Sequence, residues 1–188
     1  MPSTRSFDAL RHSALSLIAA HGVDALTLSQ VAAHARVSRA TAYREFGDKD
    51  GLIGAVAAHE IGLMLAAVQS DPDVTAATAE PSALVAAIVV SALRYLRNHA
   101  AFTYVRDHEP HWLLHAVLSV GDSRMDLVQT VASAVTPTAA VDAHRLRVSM
   151  AQAAEVMVRA VLSHSLIENS TLTDEEVGQT VAHAIIAG

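Results

Sequence analysis

Apolar residues recur at helical spacing along nearly the whole chain, and no convincing stretch alternates apolar with polar residues. That period is the strongest constraint on the fold. A repeat near 3.6 puts one stripe of side chains on a core, whereas a half-buried strand needs a repeat of two. Phe7, Leu10, Ala14, Leu17 and Ile18 share one helical face, and Gly22 supplies a C-terminal stop. Thr27 and Gln30 have the spacing of a capping box, which predicts a helix from about Leu28, with Leu28, Val31 and Ala32 as its apolar stripe. Ser38 is a good N-cap for a short helix over 39–46, and Gly47 ends it. Asp48 then caps a longer helix from Lys49 to about Ser70, in which Gly51, Gly54 and Gly62 argue against rigidity.

The segment "DPDVTAATAEP", residues 71–81, reads as a loop with a proline near each end. After it the pattern predicts helices over about 82–99, 101–109, 111–120, 122–135, 139–168 and 173–187. Thr173 caps the last of these, with Asp174, Glu175 and Glu176 in its first turn, where the helix dipole favours anions. The fold class is therefore all-α, with about nine to ten helices. The chain is 52% apolar and only 4% aromatic, so alanine, valine and leucine must fill its core.

Several function classes drop out early. With no cysteine, disulfides, zinc–thiolate sites and cysteine catalysis are excluded. The longest apolar run, "ALVAAIVV" at 83–90, is far too short to span a bilayer, and the N-terminus lacks a signal-peptide apolar region. The expectation is a cytoplasmic protein with no membrane partner. No Gly-x-Ser-x-Gly, phosphate loop or His-Glu-x-x-His occurs, so an enzyme is not expected, nor a cofactor.

The net charge of −6 is unevenly spread. Residues 1–50 carry Arg5, Arg11, Arg36, Arg39, Arg44 and Lys49 against Asp8, Asp24, Glu45, Asp48 and Asp50, and all of the net negative charge lies beyond them. Lys49 is the only lysine in the chain. A phosphate backbone would repel the acidic remainder, whereas the N-terminal part can gather its cations on one face.

Two short helices at about 28–34 and 39–46, joined by a tight turn at Ala35–Arg36–Val37, have helix-turn-helix spacing. In such a unit the second helix can enter the major groove of double-stranded DNA. Val37, Ala42 and Phe46 can pack inward, which leaves Arg39, Ala40, Thr41, Tyr43 and Arg44 outward or at the edges. Arginine can bond guanine at two points, the methyls of Ala40 and Thr41 suit a thymine methyl, and the Tyr43 hydroxyl can reach a phosphate.

The stretch "LTLSQVAAHARVSRATAYREFGDKDGL" resembles the DNA-binding signature of the TetR family of bacterial transcription regulators. Leu26–Thr27, Ala35, Val37–Ser38, Tyr43, Phe46, Lys49 and Leu52 match that pattern. Arg36 departs from it, standing where the family often has glycine, and Ala42 is smaller than the usual apolar residue. The resemblance implies a helix-turn-helix domain at 1–48 and a larger helical ligand-binding and dimerisation domain at 49–188. It implies DNA-contact roles for Thr27, Ser38, Arg39, Ala40, Thr41, Tyr43, Arg44 and Lys49, with Lys49 as an anchor to a backbone phosphate. It also implies a repressor that binds a palindromic operator as a homodimer and is released by a small hydrophobic effector. Tyr95, Phe102, Tyr104, Trp112, Leu113, Met150 and Met157 are the candidate lining of the effector pocket.

A rival reading is a metal-sensing regulator, or a helical metal-dependent enzyme, built on His108, His111 and His115 at i, i+3 and i+7. Eleven mostly isolated histidines, and a proline between the first two of these three, make a surface or pocket-lining role the plainer expectation, with no metal site.

Overall fold

The computed structural model describes residues 5–118 and 145–187. Their elements are α1 (Arg5–His21), α2 (Leu28–His34), α3 (Arg39–Phe46), α4 (Lys49–Ser70), α5 (Pro72–Ala76), α6 (Pro81–Arg97), α7 (Ala100–His108), α8 (Pro110–Leu118), α9 (Met150–Leu166) and α10 (Asp174–Ile185). The all-α fold is as the period requires. Expected helix 122–135 lies outside the described residues.

The chain forms two compact units. The first comprises residues 1–62 and 99–115, the second 63–98 and 116–188. The first is thus larger than the 1–48 segment that carries the helix-turn-helix spacing. The reason is packing. Leu10, Ala14 and Ile18 of α1, Leu28, Val31 and Ala32 of α2 and Ala42 of α3 share one buried cluster with Leu52 and Val56 of α4 and Ala101 and Val105 of α7. Three short helices rich in alanine bury too little surface alone, and each buried valine or leucine adds about 1.5–3 kcal/mol.

The second unit centres on α6, α9 and α10. Leu84, Val85, Val89 and Leu93 meet Ala153, Met157 and Val161, and Val177, Val181 and Ile185. The approach of α10 to α6 is close enough that a Cβ on Gly178 would lie 2.8 Å from the Ala86 carbonyl oxygen. By length and composition α4 could cross a membrane. Here its Leu52 and Val56 are buried in the first core and its Val68 in the second.

Two expectations need correction. Residues 71–81 are not a plain loop. Asp71 accepts a hydrogen bond from the Asp73 amide and caps α5, whose first residue is Pro72. A 3-10 turn follows at Ala77–Ala79, and the Glu80 carboxylate then caps α6, which also opens on a proline. Asp-Pro and Glu-Pro here are starts rather than stops, since proline at the first helical position gives up an N–H that would be unpaired anyway. Likewise, the helix expected from 139 does not include 145–149. Ser149 and Gln152 form a reciprocal capping box, so α9 begins at Met150. Residues just before it pair with the chain's end: the Arg147 amide donates to the Ile185 carbonyl at 2.9 Å and the Ala187 amide to the Arg145 carbonyl at 2.8 Å.

The ends of α6, α9 and α10 meet at one ionic knot. Arg97 donates two hydrogen bonds to Asp174 (3.1 and 2.7 Å), and the buried His164 ring lies 3.1 Å from the same carboxylate. Burial alone would raise the Asp174 carboxyl, but the Arg97 hydrogen bonds and charge, with a smaller share from His164, outweigh it and lower the carboxyl below its ordinary value. A carboxylate that ionises more readily folded than unfolded contributes stability above its ordinary pKa and loses it as pH falls. Asp174→Asn is therefore expected to give a melting temperature that falls less steeply than wild type below about pH 4, read by circular dichroism across that range. Identical slopes would show that the knot carries no pH-linked stability.

Candidate nucleic-acid interface

The turn between α2 and α3 is built from local caps. The Thr27 hydroxyl accepts from the Gln30 amide at 3.2 Å, and the Gln30 side-chain oxygen accepts in turn from that hydroxyl at 2.7 Å. The Ser38 hydroxyl accepts from the Thr41 amide at 3.0 Å and lies 2.8 Å from the Thr41 hydroxyl. Between them, Arg36 has φ 58°, in the left-handed region. For a residue with a Cβ this costs about 1–2 kcal/mol. The chain answers the same demand with glycine at Gly22 (φ 82°) and Gly47 (φ 77°).

These caps fix which side of α3 faces the core. Ala42 is buried, and Val37 and Phe46 are half-buried against the same cluster. Phe46 also meets Phe7 of α1 with ring centroids 4.7 Å apart. Arg39, Ala40, Tyr43 and Arg44 are exposed, and Thr41 is half-buried with its hydroxyl turned to Ser38. The result is one solvent-facing strip carrying two guanidiniums, a phenol and a methyl. The small Ala42 lets α3 sit close to the core.

The start of α4 is equally defined. Asp48 accepts from the Gly51 amide at 2.7 Å, as a cap should. The Lys49 ammonium donates to the Asp24 carbonyl at 3.1 Å and sits 5.7 Å from the centre of the Trp112 ring. The Asp24 carboxylate accepts from the Trp112 indole N–H at 2.8 Å, and a His111 ring nitrogen is 3.3 Å away. The indole hydrogen bond does most to hold the Asp24 carboxyl below its ordinary value, with His111 and Lys49 helping and desolvation opposing. Lys49 is therefore a half-buried, partly engaged cation, more than the free surface charge its sequence position suggests.

A second contact joins the same loop to α7. The buried Glu109 carboxylate accepts from the amides of Val23 (2.6 Å) and Asp24 (3.1 Å). Gly22 admits it, since a Cβ there would lie 2.2 Å from the carboxylate. Neither Glu109 nor Asp24 was singled out from sequence. The partners are 85 to 88 residues apart along the chain, and no local pattern links them.

The candidate pocket residues fall in both units. Phe102, Tyr104, Trp112 and Leu113 belong to the first, and Trp112 and Leu113 pack against its core. Tyr95, Met150 and Met157 belong to the second, with Met157 buried in its core. Of the three spaced histidines, His108 stacks on Tyr104 with centroids 4.4 Å apart and His111 faces Asp24. The His115 side chain lies outside the described residues. Among the described residues, no three His, Cys, Asp or Glu side chains gather to hold a metal ion.

Residues 10–56 match the sequence model of the family described as "Bacterial regulatory proteins, tetR family". Over those residues the chain carries the N-terminal domain of that family. The match runs from within α1 through α2 and α3 to the start of α4. Solved structures with the same fold cover nearly the whole chain. The TetR family repressor AlkX from Dietzia sp. strain DQ12-45-1b, implicated in biodegradation of n-alkanes, is 16% identical with a TM-score of 0.69, over 96% of this chain and 92% of that one. The TetR-family repressor QsdR from R. erythropolis is 20% identical with a TM-score of 0.62, over 94% and 92%. A putative TetR-family regulator from Mesorhizobium loti is 15% identical with a TM-score of 0.59, over 97% and 95%. At these identities the likeness is one of fold. No curated protein sequence matches the chain.

Proposed function

We propose that the chain is a ligand-responsive transcriptional repressor, not an enzyme, that binds a palindromic operator in the cytoplasm as a homodimer. The observation that carries this is the exposed Arg39–Ala40–Tyr43–Arg44 strip on a capped helix whose opposite side buries Ala42, inside the matched TetR-type segment. Arg39 and Arg44 are the candidate readers of guanine, Ala40 and Thr41 of a thymine methyl. Tyr43, Thr27, Ser38 and Lys49 are the candidate positioning contacts to the DNA backbone. An ammonium has three donors, so Lys49 can keep its bond to the Asp24 carbonyl and still meet a phosphate.

The homodimer is supported by apolar side chains left exposed on and after α9, namely Val156, Ile167 and Leu172. Two-fold symmetry would set the recognition helices about 34–36 Å apart, one turn of DNA, or somewhat more. An apolar effector, lined by some of Tyr95, Phe102, Tyr104, Trp112, Leu113, Met150 and Met157, fits the adaptable character of methionine and aromatic side chains. It also fits the role of the Dietzia repressor in alkane biodegradation.

The test is fluorescence anisotropy on a labelled duplex from upstream of the protein's own gene, against a scrambled duplex, at about 150 mM salt. Preferential binding to the upstream duplex is expected. Lys49→Ala should weaken both duplexes by a similar factor, and Arg44→Ala should reduce the preference itself by about 1–3 kcal/mol. Failure to enrich any duplex from a random-fragment selection would sink the reading.

A further inference from the structure

We infer that Arg36, in the turn between α2 and α3, is a further DNA-backbone contact, its guanidinium neutralising a phosphate beside the bases faced by α3. The inference rests on the DNA-binding reading above and adds a residue to it. Three observations converge on Arg36. It is the only residue other than glycine with a left-handed backbone among the described residues. Its side chain is exposed, so packing does not repay the strain. Among the described residues it makes no ion pair or side-chain hydrogen bond, in contrast with Arg11, Arg94, Arg97 and Arg106, each bonded to an aspartate. The left-handed turn closes α2, with the Arg36 amide donating to the Ala33 carbonyl at 3.2 Å and the Val37 amide to the Ala32 carbonyl at 3.0 Å. That closure uses the backbone alone, which glycine or asparagine would supply with less strain, so the choice of arginine points to a use of the side chain elsewhere.

Position supplies the partner. Arg36 lies two residues before Ser38, the cap of α3, and so beside the end of the helix that would enter the groove. A guanidinium outside the helix, at its N-terminal flank, faces the rim of the groove where phosphates lie, while base edges are read from the helix itself. Arginine suits the task because its planar fork can hold two phosphate oxygens at once.

The experiment compares Arg36→Asn and Arg36→Lys with wild type, measuring anisotropy on upstream and scrambled duplexes over a salt series and thermal unfolding. Asparagine tolerates the left-handed backbone and carries no charge. Its variant is expected to melt higher than wild type yet bind both duplexes about eightfold more weakly at 0.1 M salt, with the slope of log K against log salt reduced by about 0.9. Arg36→Lys keeps the charge and is expected to hold the wild-type slope. A wild-type slope retained by Arg36→Asn would overturn this contact while leaving DNA binding intact. Loss confined to the upstream duplex, at unchanged slope, would overturn it in favour of base reading. Wild-type binding with no salt dependence would overturn the phosphate contact and the underlying reading together.

Discussion

Glu109→Ala is expected to destabilise the protein by about 3 kcal/mol, through the loss of charge-assisted hydrogen bonds to two amides and the exposure of an unpaired one. The two amides are not equivalent. Val23 is buried, so its N–H has no access to replacement water, whereas Asp24 is exposed and can be hydrated. Most of the loss should therefore come from Val23. Glu109→Gln separates charge from shape, since its carbonyl can serve one amide while its NH2 must turn a donor towards the other. It should fall between alanine and wild type. Urea unfolding followed by circular dichroism measures both, with the midpoint falling and the slope unchanged. An alanine variant within about 1 kcal/mol of wild type would mean that the Gly22–Asp24 loop holds its shape without the carboxylate. Because that loop leads directly into α2, the alanine variant should also bind DNA more weakly at temperatures where it is still folded.

The elements were legible where their signals are local. α2 and α3 have their caps, stops and apolar positions within a few residues of one another, so Thr27, Ser38, Ala42 and Gly47 do in the structure what their spacing says. At Arg36 the departure from the glycine common in the resembled family was visible, and the structure puts a left-handed backbone there. The failures are of three kinds. At 71–81 the prolines were local signals read the wrong way, as breaks rather than as the first residues of α5 and α6. At α9 a capping box was present in Ser149–Gln152 but was masked by the apolar residues before it, which continue a helical period that the backbone abandons in favour of pairing with the chain's end. At Asp24 and Glu109 there was no local signal to miss, because a hydrogen bond across some 85 residues leaves no period in the sequence. Trp112 shows the consequence for function. The resemblance makes it a candidate pocket wall, yet in the first unit its indole N–H is spent on Asp24 and its ring faces Lys49. The proposed DNA anchor and a proposed effector residue are thus in contact, a relation that neither position alone discloses.

Gly51 gives the second large effect, and it reverses the usual reading of glycine in a helix. Gly51→Ala is expected to cost roughly 2 kcal/mol net, the overpacking penalty of about 3 being offset by about 1 of improved helix propensity. A Cβ at this position would lie 2.1 Å from the Phe46 carbonyl oxygen, a backbone atom that cannot swing aside. Something must shift, and the parts available are the end of α3 and the start of α4. That displacement would move the exposed strip of α3 relative to Lys49, so DNA affinity should fall by more than stability alone explains. Gly62→Ala on the same helix is the control. Nothing lies within 4 Å of its Cβ position, and its backbone is helical, so alanine there should stabilise by about 1 kcal/mol. Thermal unfolding of the two variants should therefore shift in opposite directions. If Gly51→Ala melts as high as Gly62→Ala, the close approach of α3 to α4 is not what holds the recognition helix, and the caps at Ser38 and Asp48 must be enough to position it.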